Sequence, residues 1–382
     1  MGSCKCYIYI HEKELHPEDF QMDPQTPNNN LITADPLLEL SKFKSNFEKS
    51  KLPQLGSYIT KEQFYSLIND DIRDFIEYNK LTIPKECDIT TKKFPLNPIL
   101  FKNGNAYYGY WNENFEMEGY GKYYLEDQKV FIEGIWKKGK NIYARIFYKD
   151  GEKYTGGISD NEYHGEGEYI SSDGVIYKGD FYRNQKSGYG KFYFKDGATY
   201  EGGVKNGLFA GKGEIKWEDG TLYNGYFNNS VLSGHGTLIN VNGDKYEGNF
   251  ENNFFNGKGI YLYKNGEKYE GEYLFGVMTG KGKFYRLDGI IFDGNFNDDL
   301  PNGNGNILYR NNILEIQYRN GKIIDDPKVI QGNIDDFKGI DFSIIPMRPL
   351  ISKKKLSHLI YQEVNQYQMG NSLSFLQFST IS

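Results

Sequence analysis

A step of 23 residues governs this chain. Tyr154, Tyr177, Tyr200, Tyr223, Tyr246, Tyr269 and Phe292 stand 23 apart, and a glycine follows each of them two positions on. The pairs Gly165/Gly167, Gly188/Gly190, Gly211/Gly213, Gly234/Gly236, Gly257/Gly259, Gly280/Gly282 and Gly303/Gly305 keep the same step. A fixed period of this length marks a repeat architecture, in which each unit is unstable alone and is stabilised by stacking on its neighbours.

One repeat, Lys245 to Lys268, shows the local logic. Tyr246, Gly248 and Phe250 alternate with Lys245, Glu247 and Asn249. Side chains alternate across a strand, so the aromatics share one face and the polar residues the other. A second run places Gly257, Gly259, Tyr261 and Tyr263 on one face, with Lys258 and Ile260 opposite. Glu251 to Asn256 reads as a polar loop between the runs. Asn265-Gly266 then leads to the next tyrosine, and Asn-Gly or Asp-Gly recurs from Asn103-Gly104 to Asn320-Gly321. These dipeptides supply the positive φ angles of a type I′ hairpin. The expected fold is therefore mainly β. It is an elongated, single-layered antiparallel meander of hairpins flanked by short α-helices, on the order of 90 Å long before twist shortens it. Glycine would give neighbouring rings room to lie flat across the strand. The residues two after each Gly-x-Gly (Tyr169, Phe192, Ile215, Leu238, Tyr261, Phe284 and Ile307) would form an apolar cross-strand ladder.

The pattern Tyr-x-Gly-x-Phe, six residues, Gly-x-Gly resembles the MORN (membrane occupation and recognition nexus) repeat, over about residues 101–322. The copy at Tyr107, Gly109 and Trp111 has one extra loop residue before Gly119/Gly121. The next, at Gly134 and Trp136, has Ala144 and Ile146 in place of the glycines. Ile158 and Val204 replace the second aromatic, and the pattern decays at Asn312 and Ile316. Degenerate ends fit capping repeats. The resemblance implies a role in membrane-associated or cytoskeletal assembly through protein contacts, with phosphoinositide binding as a further expectation. The acidic balance and the absence of a basic cluster on the 23-residue step weigh against headgroup binding.

Composition narrows the classes. Aromatic residues make up 16% of the chain, which fits a sheet that buries rings rather than aliphatic layers. The formal net charge of −6 lacks the basic stripe a nucleic-acid partner requires. No run of 18 apolar residues is present to span a bilayer, and no apolar segment follows the start as in a secretory signal. Three cysteines cannot build a disulfide scaffold, so a reducing, cytosol-facing compartment is expected.

Four segments result: 1–34, 35–100, 101–322 and 323–382. The chain opens Met-Gly-Ser-Cys-Lys-Cys, so Gly2 is a candidate for myristoylation, with Cys4 and Cys6 beside it for palmitoylation. Cys6 stands where the usual motif has Ser or Thr. One myristoyl chain binds with K on the order of 10⁴ M⁻¹, and a second acyl chain makes anchoring stable. Cys-x-Cys beside His11 and His16 lacks zinc-hairpin spacing. Asp35-Pro36 starts a helix carrying Leu37, Leu40, Phe43 and Phe47. A second helix starts at Thr60, with Gln63 completing a capping box and Phe64, Leu67, Ile68, Ile72, Phe75 and Ile76 as its apolar stripe. Asn69, Asp70 and Asp71 lack the spaced ligands and glycine of a calcium loop and read as a solvated face. Pro84, Pro95 and Pro98 mark the lead-in to the repeats. Near the other end, Ser352 caps a stripe of Leu356, Leu359, Ile360, Val364 and Tyr367, with Lys353, Lys354 and Lys355 in its first turn.

No catalytic constellation emerges. His11, His16, His164, His235 and His358 are scattered, no nucleophile elbow or kinase set appears, and the Gly-x-Gly pairs lie within strands rather than opening a helix onto a phosphate. The expectation is a non-enzymatic, membrane-associated scaffold with no metal and no cofactor, tethered by acylation on the cytosolic face of a membrane. Its candidate binding face comprises Tyr177, Phe181, Tyr200, Tyr223, Phe227, Tyr246, Phe250, Tyr269, Tyr273, Phe292 and Phe296. The alternatives are a soluble part of a ciliary or cytoskeletal assembly, and a regulatory partner of a separate lipid kinase or signalling enzyme. An exposed edge strand leaves homodimer formation open.

Overall fold

In the computed structural model, residues 36–87 and 92–342 are described. Gly2, Cys4, Cys6 and the C-terminal stripe at 352–367 lie outside them. The described chain is one open antiparallel sheet of 24 strands, and from residue 99 to residue 319 each strand pairs with the next in sequence. The expected meander is therefore the observed fold.

The repeats differ from the sequence reading in their turns. Glu251–Asn256 is not a polar loop. Strands Lys245–Glu251 and Phe254–Leu262 are joined by Asn252 and Asn253 alone, at φ 51° and 69°. Two successive positive φ angles are the signature of a type I′ turn. The same two-residue link recurs at Asp160-Asn161, Arg183-Asn184, Asn206-Gly207, Asn229-Ser230, Phe275-Gly276 and Asp298-Asp299. The Asn-Gly and Asp-Gly sites, read as type I′, are mostly a different turn. At Asn242-Gly243 only Gly243 has positive φ, and its N–H donates to the Asn240 carbonyl. That is a three-residue loop closed by a left-handed glycine. The residue before the glycine is Asp or Asn for a separate reason. Its side-chain oxygen accepts from the N–H two positions on, as Asp219 does from Thr221 at 2.9 Å and Asn265 from Glu267 at 3.0 Å. Asn320-Gly321, like Asn206-Gly207, has both residues at positive φ.

The strands are also kinked where the sequence showed only glycine. Pairing of Lys245–Glu251 with Phe254–Leu262 slips between Gly248 and Phe250, a bulge that repeats at Gly156, Gly179, Gly202, Gly225, Gly271 and Gly294. A bulge bends its strand and raises the local twist.

Helices close the N-terminal end on both faces. α1 (Pro36–Ser50) sets Phe43 and Phe47 against Phe94, Trp111 and Met117 on the aromatic face. A four-residue helix, α2 (Leu52–Leu55), follows. The expected second helix is two, α3 (Lys61–Ser66) and α4 (Asp70–Tyr78). The Thr60/Gln63 capping box forms as expected. The break falls at Asn69, whose side chain accepts from the Asp71 N–H at 2.7 Å and caps α4. Asn69, read as part of a solvated face, is thus a helix start. Phe64 and Ile76 of these helices, with Ile68 from the link between them, bury Ala106, Tyr124, Phe131 and Phe147 on the opposite face of the sheet. At the far end, strand Asn312–Arg319 continues the sheet, and Tyr318 donates to the Phe342 carbonyl as the chain crosses the last repeat.

Candidate interaction surface

The faces of the sheet are chemically separate, and the aromatic one is sealed by the repeat itself. Tyr246 lies flat along its own strand over Gly248 and the facing Gly259. A Cβ on either glycine would come within 2.5 Å of the ring or its hydroxyl. The ring stops at the bulge, where its hydroxyl donates to the Asn249 carbonyl at 2.9 Å. Tyr154, Tyr177, Tyr200, Tyr223 and Tyr269 make the same bond three residues on. Burial raises each of these phenols above the ordinary tyrosine range.

Rings then enclose Tyr246 on its free sides. Phe255 stacks on it at 3.7 Å, while Phe250 and the next repeat's Tyr273 meet it edge-on at 5.2 and 5.3 Å. Tyr163 on Tyr154 and Phe209 on Tyr200 repeat the stack, both at 3.6 Å. The edge-on contacts have the geometry that aromatic pairs favour, while the stacks, with centroids 3.6–3.7 Å apart, are face to face. Most repeats thus donate a ring to the preceding repeat's tyrosine, with Val204 in that place beside Tyr177, and this packing between repeats makes a single unit insufficient. The apolar ladder two after each Gly-x-Gly is buried as expected.

All eleven nominated aromatics, Tyr177, Phe181, Tyr200, Tyr223, Phe227, Tyr246, Phe250, Tyr269, Tyr273, Phe292 and Phe296, lie in this packing and are buried. They pack the sheet together and are enclosed rather than presented to solvent. Sequence reasoning missed the stacking column nine residues after each tyrosine: Tyr163, Lys186, Phe209, Leu232, Phe255, Met278 and Pro301. Its signal was the 23-residue step itself, hidden by the assumption that these positions were loop.

Lys186 breaks that column. It takes the place of the ring over Tyr177, with its ammonium 4.8 Å from the Tyr169 ring and 5.4 Å from Phe192. Burial pulls its pKa down to about 8, against the opposing pull of Glu152 and Asp173.

The opposite, outer face carries a largely polar ladder, interrupted at Ile260. Glu133, Arg145, Thr155, Glu168, Lys178 and Lys191 are successive cross-strand partners, and the line continues through Glu201, Glu214 and Asn224. Lys191–Glu201 at 2.7 Å and Lys283–Asp293 at 3.0 Å are exposed pairs worth about 0–1 kcal/mol each. Under α3 and α4 the ladder is buried: Arg145 pairs with Glu133, which also accepts from the Tyr120 hydroxyl, and the guanidinium lies against Phe75. Among the described residues, no group of three or more His, Cys, Asp or Glu side chains converges to hold a metal ion. His164 and His235 stand on the outer face, 71 residues apart.

The MORN-repeat family profile matches seven consecutive windows: 154–176, 177–199, 200–222, 223–245, 246–268, 269–290 and 292–312. A search of curated proteins gave no match. Among solved structures, the SAS-4 (dCPAP) TCP domain in complex with a proline-rich motif of Ana2 (dSTIL) of Drosophila melanogaster is 14% identical. It covers 50% of this chain and 96% of its own length, at a TM-score of 0.24. A mutant of the TCP10 domain of Danio rerio CPAP is 11% identical, covering 60% and 98%, at a TM-score of 0.25.

Proposed function

We propose, from the premise that residues 154–312 of this chain are seven consecutive MORN repeats, that it is a membrane-tethered binding scaffold without catalytic activity of its own. The observation that supports this most is the division of labour between the faces. The repeated aromatics are consumed in holding the sheet together. What faces solvent is a long array of alternating charged, polar and aliphatic side chains. Catalysis rests on one asymmetric constellation of groups with perturbed protonation, whereas a repeat multiplies a surface. Protein partners are the fitting ligands for such a surface.

Tethering rests on the sequence Met-Gly-Ser-Cys-Lys-Cys, in which Gly2, Cys4 and Cys6 supply up to three acylation points. Two acyl chains hold a protein at a membrane where one does not. The array would then be presented on the cytosolic side. The test is membrane fractionation of the full chain with a C-terminal tag beside Gly2→Ala. Wild type in the membrane fraction and Gly2→Ala in the soluble fraction support the tether. Identical distribution of the two removes it. Retention of both in a detergent-resistant, microtubule-containing fraction would replace the membrane scaffold with a cytoskeletal one.

A further inference from the structure

The outer row covered by the helices does not end where the helices do. Ala106, Tyr124, Phe131 and Phe147 are successive cross-strand partners, and they are the residues that α3 and α4 bury. Phe147 pairs onward with Lys153. Further along the same row, Leu222, Ile239, Lys245, Leu262, Lys268 and Tyr285 are again successive partners. Here Ile239 is 37% exposed and Leu262 44%, with Ile260 beside it at 41%.

The covered part of the row shows what kind of element fits it. Phe64 and Tyr65 of α3 meet Tyr108 and Lys122, while Phe75 of α4 meets Phe147 and Lys153. The helix pair therefore runs along the row, across the strands. The pitch allows this, because strands are about 4.8 Å apart and a helical turn rises about 5.4 Å, so one residue per turn meets each strand. Apolar side chains of the helices sit on apolar row positions, and their rings lie against the lysines, as Tyr65 does with Lys122 and Phe75 with Lys153 at 4.4 Å. The covered row is mostly aromatic up to Lys153, whereas the open row alternates aliphatic side chains with lysine stems, and Lys268 lies over Tyr285 at 3.9 Å.

We propose that the row from Leu222 to Tyr285 is the docking site for an amphipathic helix of a partner protein. That helix would lie across the strands in continuation of α3 and α4. Its buried stripe would carry aliphatic and aromatic residues at i, i+3 and i+4, the aromatics placed over Lys245 and Lys268. Five strand steps span about 24 Å, the length of a helix of about 16 residues. This deepens the scaffold reading and rests on it.

The test uses the full chain and a fluorescein-labelled peptide of residues 60–79, the segment already seated on this row, read by fluorescence anisotropy. Saturable binding is expected, weakened at least tenfold by Ile239→Glu with Leu262→Glu. It should be unchanged by Val241→Glu with Leu287→Glu, two exposed turn residues off the row. Should the first pair lower the melting temperature, Leu262→Gln alone decides, with a loss of threefold or more expected. Absence of saturable binding, or equal loss from both pairs, overturns the proposal. So does a dimer that Leu262→Glu dissociates, which would give the row to a second copy. Tight binding only by a chain ending at Phe342 would give it to the chain's own C-terminal residues and likewise overturn it. A partner lost on deleting residues 154–312 but retained by Leu262→Glu would retire the row and leave the scaffold standing.

Discussion

The same strands build two faces with opposite fates. On the aromatic face each repeat supplies a flat-lying ring (Tyr, or Phe292) and side chains, mostly aromatic or aliphatic, that cover it, so the face is buried along the array. On the outer face the repeats supply only a ladder, and among the described residues it is closed where α3 and α4 lie across the first strands. The difference teaches how a single-layered sheet can be both stable and available. Apolar burial contributes about 25 cal/mol per Å². Here the repeats gather it on one side, through contacts between adjacent repeats, and the other side is free to carry a surface.

The comparison breaks most severely if the glycine floor is not what the tyrosine needs. A Cβ at residue 259 would lie 2.5 Å from the Tyr246 ring. Gly259→Val is expected to cost about 3 kcal/mol or more, by overpacking a closed site. In urea unfolding, the milder Gly259→Ala combined with Tyr246→Ala should cost less than the two changes summed, because the clash and its cause are removed together. Additive losses would mean that the ring and the glycine are independent.

Lys186 sharpens the comparison, being the charged residue in the stacking column. Lys186→Phe should stabilise by roughly 1–2 kcal/mol at neutral pH, replacing a desolvated ammonium with a stacked ring. The sign of the pH dependence follows from its shift. The folded pKa is about 8, below the 10.5 of a free lysine. Between those values the unfolded chain holds a proton that the folded chain has shed, so stability rises with pH from about 8. The buried phenols, raised above 10.0, act oppositely. The unfolded tyrosines ionise first, and stability falls once pH passes 10. Wild type should therefore show a stability maximum between these limits, and Lys186→Phe should lack the rise on its acid side. A flat profile in wild type would contradict the buried ammonium.

Smaller effects belong to the bonds that stitch repeats together. The Ser230 hydroxyl accepts from the Phe209 N–H across the turn at 3.0 Å, as Asn253 does from Leu232 and Asp299 from Met278. Ser230→Ala should cost about 1–2 kcal/mol by leaving that buried N–H unpaired. Tyr246→Phe removes the bond to the Asn249 carbonyl and should cost about 1 kcal/mol. Phe292 already lacks that hydroxyl, so Phe292→Tyr is the converse, with a small gain expected in the melting temperature.

Legibility followed the strength of the local code. The 23-residue step, the alternation around Tyr246 and the Thr60/Gln63 box were readable because each is fixed by a few neighbouring residues. The turn at Asn252-Asn253 was not, because a pair of asparagines at positive φ looks in sequence like any polar stretch. Losing that turn hid Phe255, which in turn made the tyrosines look available for binding when they are enclosed. The break between α3 and α4 was masked for a similar reason: the apolar stripe from Phe64 to Ile76 continues through it, and only the Asn69 cap marks the boundary. The outer row was invisible because its continuity runs across strands, through register that no single repeat encodes.

The most direct test of the two-face account is a pair of neighbouring residues, Phe254 and Phe255. Phe254 is 48% exposed on the outer side and Phe255 is 3% exposed against Tyr246. In urea unfolding of the full chain, Phe255→Ala should cost about 3–5 kcal/mol, while Phe254→Ala should stay within about 0.5 kcal/mol of wild type. Equal losses, or a larger loss at Phe254, would contradict the claim that one face holds the array together and leaves the other free.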